Sequence, residues 1–188
     1  MTVEGLDSGT DAFFHFQRTL GPGQALLPLM EIANFLGSYL ALTVLALAIL
    51  GLLLYLGRIR QAIAFVAVVS AAVLLGEGLK WLVQRGRPTD AELILGPHPS
   101  PSFPNVSALL TSMLMLILVL IVWESVQSRF FRFAIFGVCL ILVLLIGASQ
   151  LYLGLHFLSD LLAGWTAGVL LALVWNFWSS PERERRVA

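Results

Sequence analysis

The sequence predicts an all-α, polytopic membrane helical bundle of about five full spans, preceded by an N-terminal interfacial or re-entrant helical region. Two observations carry this. Of 188 residues 59% are hydrophobic and 12% charged, with a mean hydropathy of +0.91, whereas soluble domains carry about 25% charged residues. Apolar runs of roughly 20 residues, the length of helix that crosses about 30 Å of hydrocarbon, recur at about 35–56, 62–83, 106–123, 131–148 and 159–178. The eleven basic and eleven acidic residues balance, which gives no electrostatic reason to expect a nucleic-acid partner. Cys139 is the only cysteine and lies inside an apolar run, so an internal disulfide or a cysteine metal site is excluded and redox chemistry is not expected.

Three regions follow: 1–34 as an N-terminal interfacial region, 35–178 as the helical bundle and 179–188 as a cytoplasmic tail. The N-terminal stretch carries Glu4, Asp7, Asp11, Arg18 and Glu31 and lacks the basic start and apolar core of a signal peptide, so the first span serves as its own insertion signal. Within it, 11–20 sets aromatics on one side and polar groups, His15 among them, on the other before Gly21-Pro22-Gly23. This reads as a helix lying in the membrane interface. The apolar piece at Ala25–Ile32 is too short to span alone and is either re-entrant or an extension of the first span. Asn105, behind Pro104, is placed to cap the third span. Trp123, Trp175 and Trp178 mark one interface and Trp81 the other, while Gly164 and Gly168 provide a small-xxx-small spacing for close helix packing on the fifth span.

Orientation follows from the basic residues. One side receives Arg58, Arg60, Arg129, Arg132, Arg183, Arg185 and Arg186, the other Arg18, Lys80, Arg85 and Arg87, seven against four. The first group is therefore expected in the cytoplasm, with the protein in the plasma (inner) membrane. The same assignment brings the 84–105 and 149–158 loops together on the outer face. There His156 and Asp160, four residues apart, are expected on one helix face, so that the carboxylate holds one imidazole nitrogen and leaves the other free. Lys80, Arg85 and Arg87 stand beside them. A bland reading makes these cations interfacial residues only; their position on the side the positive-inside rule disfavours, with Glu77 a turn below Lys80, points instead to an anionic headgroup.

Lys80-Trp-Leu-Val-Gln-Arg-Gly-Arg87-Pro88, then Ser102-Phe-Pro-Asn-Val-Ser-Ala108, then Ser149 with His156 and Asp160 behind it, resembles in order and spacing the three signatures of the membrane type 2 phosphatidic acid phosphatases, which share a core with vanadium haloperoxidases. The resemblance implies that His156 is the nucleophile that forms a phosphohistidine, that Asp160 orients it, and that Lys80 and Arg87 bind phosphate. Ser107, Gln150 and Asn105 occupy the remaining phosphate-site positions. No metal or cofactor is implied, and the partner is a phosphorylated membrane lipid in the bilayer.

The chain departs from the family pattern where Asn105-Val106-Ser107 replaces Ser-Gly-His and where Gln150 replaces an arginine. A serine cannot supply the acid that the family histidine gives the leaving group, Val106 threatens close approach of the loop to phosphate, and Gln150 lacks the charge and fork of arginine. A diphosphate, whose leaving group is already a weakly basic lipid monophosphate, suffers least. The expectation is thus a metal-independent phosphatase acting preferably on an isoprenyl diphosphate. The alternative is a pseudoenzyme that binds or transports a phosphorylated headgroup, or a scaffold on the same fold. His98, in the same loop, is a weaker candidate for the missing acid.

The topology is directly testable. A reporter fused after Ala188 should read as cytoplasmic and one inserted within 90–100 as external; the reverse arrangement defeats the external-site assignment.

Overall fold

The computed structural model describes residues 3–19, 22–88 and 100–179. In chain order these form α1 (Val3–Thr19), a 3-10 turn (Pro22–Leu26), α2 (Leu27–Leu36), α3 (Tyr39–Tyr55), α4 (Ile59–Val83), α5 (Val106–Ser125), α6 (Arg129–Tyr152) and α7 (Leu158–Ser179). His98 and the tail beyond Ser179 lie outside the described residues. α4, α5, α6 and α7 are each long and apolar enough to cross a bilayer, and Gly23–Leu36 with Tyr39–Tyr55 passes the same test as a pair bent by 50°. The first predicted span is therefore bent near its start, and the apolar piece at 25–32 joins it through that bend. The boundary expected at residue 34 falls inside α2, which packs on α6 as part of the bundle.

The bend has a local cause. Ser38 caps α3 by accepting a hydrogen bond from Ala41 N at 3.3 Å, which favours a fresh helix start at that point. Gly37 sits so close to the bundle that a Cβ there would lie 2.6 Å from Ile146 Cγ2 and 2.8 Å from Ser107 Oγ. The bend is held against α5 and α6 by contact.

α5 is the central helix: 67% of its apolar window is buried, against 17% for α6. Apolar side chains of α3, α4, α6 and α7 such as Leu47, Leu74, Ile141 and Leu170 stay exposed, as hydrocarbon-facing residues do, since burial against protein offers little over lipid tails and packing becomes the main attraction between helices. That packing is tightest where α7 crosses α5. A Cβ on Gly164 would meet Asn105 O and Ala108 Cβ, and one on Gly168 would meet Leu109 O and Ser112 Oγ. The small-residue spacing thus does what the sequence predicts. Trp175 does not: it is fully buried and donates from Nε1 to Gln61 O at 3.1 Å, so it belongs to the core beneath the interface, whereas Trp123 and Trp178 keep exposed faces. The end that carries them is tied by Arg58 Nη1 to Glu124 Oε2 at 2.9 Å and by Gln61 Nε2 to the same oxygen at 3.0 Å.

Substituting the crossing tests it. Gly168→Ala should destabilise the protein in detergent by about 1–3 kcal/mol, as overpacking of a filled contact does, whereas Gly51→Ala, with nothing within 4 Å of the added Cβ, should be neutral or stabilise by about 0.5–1 kcal/mol. Equal thermal midpoints for the two variants would remove the packing explanation.

Candidate active site

The opposite end of the bundle holds the charged residues that the sequence singles out. α6 ends in a Schellman turn: Gly154 takes φ +67°, its N–H donates to Leu151 O at 3.0 Å, and Leu155 N donates to Gln150 O at 2.9 Å. The chain reverses there, and His156 lies in the short loop before α7. It does not share a helix with Asp160, as the four-residue spacing suggested. Asp160 sits in the first turn of α7, where its Oδ2 accepts from Phe157 N at 3.0 Å, the return half of a capping box.

Arg87 reaches this loop from the segment after α4. That helix closes at Gln84, which adopts the left-handed region at φ 49°, and the following residues are pinned to the 100–104 stretch by Ser102 N to Arg85 O at 2.8 Å and Ser102 Oγ to Gly86 O at 2.9 Å. From there Arg87 Nη1 stands 3.0 Å from His156 Nε2 and 2.7 Å from Leu155 O, while its Nε donates to Ser100 O at 2.6 Å. A guanidinium only donates, so Nε2 is the acceptor and the imidazole proton resides on Nδ1. Burial above all holds His156 below its ordinary value, with the Arg87 charge adding to the effect and Asp160 opposing it. Burial also pushes Arg87 down, although a guanidinium keeps its charge at physiological pH.

Asp160 faces His156 at some distance: Oδ2 lies 3.8 Å from Nδ1, beyond hydrogen-bond range, and Nδ1 is buried with no hydrogen-bond partner among the described residues. The closest partner of the carboxylate is Arg85, whose Nη1 donates to Asp160 Oδ1 at 2.6 Å and whose Nη2 donates to Asp7 Oδ2 at 2.7 Å. Asp7 comes from α1, is 4% exposed, and also accepts from Ser159 N at 2.9 Å and Ser159 Oγ at 2.6 Å. Burial raises the Asp7 carboxyl, but the bonds from Ser159 and Arg85 prevail and hold it below the usual carboxylate range.

The other predicted residues divide. Asn105 caps α5 through Oδ1 to Ala108 N at 3.0 Å, and its N–H donates to Asp160 O at 3.2 Å, so it lies against the Asp160 turn. Lys80 Nζ engages Glu77 Oε1 and Tyr39 Oη, both at 3.3 Å. Ser107 Oγ donates to Gly37 O at 2.6 Å and Gln150 Nε2 to Asn34 Oδ1 at 2.7 Å. Both are therefore bonded to the α2–α3 bend. Val106 turns away from the loop surface and packs on Gly76, where a Cβ would lie 2.7 Å from its Cγ2.

Two members escaped the sequence reading. Arg85 entered it only as one of three cations pointing to an anionic headgroup, and Asp7 only as a charge arguing against a signal peptide. The one sequence signal was indirect: Phe157, at the N-cap of α7, has no side-chain acceptor, so the amides of that turn need one from elsewhere. The proton placement is testable by ¹⁵N NMR on histidine-labelled protein in detergent. His156 should titrate below 6.5 with its neutral form protonated on Nδ1; a value above 6.5, or a proton on Nε2, contradicts the Arg87 contact.

The architecture has a solved counterpart. The fold is similar to the crystal structure of a transmembrane PAP2-type phosphatidylglycerolphosphate phosphatase from Bacillus subtilis, with a TM-score of 0.79 and 21% sequence identity over 93% of this chain and 86% of that one. No curated protein sequence matches the chain. The sequence model of the PAP2 superfamily matches residues 61–184, which takes in Lys80, Arg87, Asn105, Ser107, Gln150, His156 and Asp160, and the chain therefore belongs to the PAP2 superfamily.

Proposed function

We propose that this protein is an integral membrane phosphatase that hydrolyses a lipid phosphate or diphosphate, preferably an isoprenyl diphosphate, at the outer face of the membrane. The observation that carries the reading is the contact of Arg87 with His156 Nε2 above a buried Asp160. It places a neutral imidazole and a fixed cation at one point, the pairing that nucleophilic attack on phosphorus requires. A substrate phosphate draws the guanidinium from Nε2 to its own oxygens and thereby frees the lone pair. Nε2 then bonds to phosphorus as the bond to the leaving oxygen breaks, while the proton on Nδ1 stays on the Asp160 side. Water next attacks the phosphohistidine, releases inorganic phosphate and restores the imidazole. Lys80, next to Tyr39, contributes the second cation.

The preference for a diphosphate rests on Ser107. With no acid at that position, a leaving lipid monophosphate, stable as an anion, departs more readily than an alkoxide that needs a proton. A second reading, a headgroup-binding or transporting relative of low turnover, is favoured by the hydrogen bonds that Ser107 and Gln150 make to the α2–α3 bend and by the pairing of Lys80 with Glu77.

Purified protein in detergent, without added metal, should release phosphate from an isoprenyl diphosphate faster than from phosphatidate or phosphatidylglycerolphosphate. His156→Ala should abolish release, and Asp160→Asn should lower it on the order of 100-fold or more by leaving the imidazole misoriented. Activity that survives His156→Ala rejects the nucleophile. Tight lipid binding without release across this panel favours the second reading.

A further inference from the structure

The N-cap of α7 is incomplete on its own. Phe157 has no side-chain acceptor, yet Ser159 N is satisfied by a carboxylate from a residue 152 positions away, Asp7 Oδ1 at 2.9 Å. The second oxygen of that carboxylate accepts from Ser159 Oγ and from Arg85 Nη2. Arg85 Nη1 in turn donates to Ser159 Oγ and to Asp160 Oδ1, both at 2.6 Å, with its guanidinium carbon 4.4 Å from the centroid of the Phe157 ring. One oxygen of Asp160 is thus fixed by Arg85 and the other by Phe157 N, which leaves Oδ2 beside His156 Nδ1.

We propose that Asp7 is a positioning residue of the site: through Arg85 and Ser159 it sets where the Asp160 carboxylate stands relative to His156, which makes α1 a working part of the active site rather than only a membrane-surface helix. The proposal rests on the phosphatase reading for its catalytic consequence, but its geometry does not. Asp7 lies at 4% exposure, beneath a cavity also lined by Glu4, Asp11 and His15 of α1 and by Arg85 and Phe157. Asp7 and Asp160 share one guanidinium, so that cluster, on one side of His156, carries one negative unit. Arg87 faces the imidazole from the other side. Removing the Asp7 charge leaves Arg85 balanced by Asp160 alone, which disfavours a protonated His156.

The test uses the protein in detergent with Asp7→Asn, Arg85→Lys and, as a control on the same helix, Ser8→Ala, whose hydroxyl bonds to the α1 backbone at Glu4 O and Gly5 O. Each is read by phosphate release from an isoprenyl diphosphate as a function of pH and by NMR titration of His156. Asp7→Asn should lower release about tenfold or more, within the ~100-fold that a misplacement of about 1 Å can cost, and should move the His156 titration and the acid limb of the rate profile to lower pH. Ser8→Ala should match wild type. A fall in rate with the titration unmoved makes α1 a purely structural element and overturns the proposal, as does wild-type behaviour in both readouts. If wild type releases no phosphate, the phosphatase reading falls and the titration alone decides: a downward shift in Asp7→Asn upholds the positioning role and an unmoved one overturns it. If Asp7→Asn does not fold, Arg85→Lys carries the same decision, because an ammonium keeps the charge but lacks the planar fork that donates to Asp7, Asp160 and Ser159 together; a His156 titration identical to wild type then overturns the role.

Discussion

Arg85 holds two carboxylates from opposite ends of the chain, Asp7 and Asp160, and the polar end of the bundle is arranged around that bridge. A buried carboxylate without a partner is costly, and one that shares a guanidinium still needs its remaining lone pairs filled. Asp7 fills them with Ser159 and Asp160 with Phe157 N. The amides at the start of α7 are satisfied by the same oxygens. Burying the cluster therefore fixes three things together: the start of α7, the segment that carries Arg87, and the place of α1. None can move far without stranding a charge in a medium of low dielectric.

Beneath this cluster the bundle depends on packing. With lipid on the outside, apolar surface on α6 or α3 adds little by being covered, and close backbone approach is what joins α7 to α5. The crossing at Gly164 lies against Asn105 O, one turn from Asp160, whose backbone oxygen accepts from Asn105 N. The contact that holds the core together thus also sets the height of the site above it.

Much of this was legible in the sequence and some was not, for identifiable reasons. Runs such as 62–83 and 159–178 declare themselves because a span needs continuous apolar length, and the bases and carboxylates at their mouths stand out against it. The bend near the start of the first span was not visible, since Gly37-Ser38 is a modest interruption whose effect comes from Ser107 and Ile146 pressing on it. His156 was expected on a helix because spacing alone cannot distinguish a helical turn from the loop that Gly154 creates by its left-handed backbone. Trp175 was read as an interfacial residue together with Trp123 and Trp178; the acceptor that draws its indole inward, Gln61 O, is on another helix. Asp7 was the least legible, because its partners lie in segments 78 and 152 residues away.

The departures from the family pattern are not scattered. Val106 replaces a glycine and fits the space left by Gly76 on the facing helix, so the bulk feared at the loop is absorbed within the bundle. Ser107 in place of histidine bonds Gly37 O, and Gln150 in place of arginine bonds Asn34, the two acceptors lying in the last turn of α2 and just after it. Asn105 in place of serine still caps α5. Each substituted residue has taken up a structural partner, and these partners together brace the α2–α3 bend and the start of α5. On the other side of the site, Arg87, His156 and Asp160 remain gathered. Under the proposed mechanism the site is asymmetric: the half assigned to attack on phosphorus keeps its polar groups, while the position assigned to protonating a leaving group is bonded into the scaffold. Chemistry compatible with that asymmetry is transfer from a leaving group that departs as a stable anion, which is the physical ground for placing a phosphoanhydride ahead of a phosphate monoester.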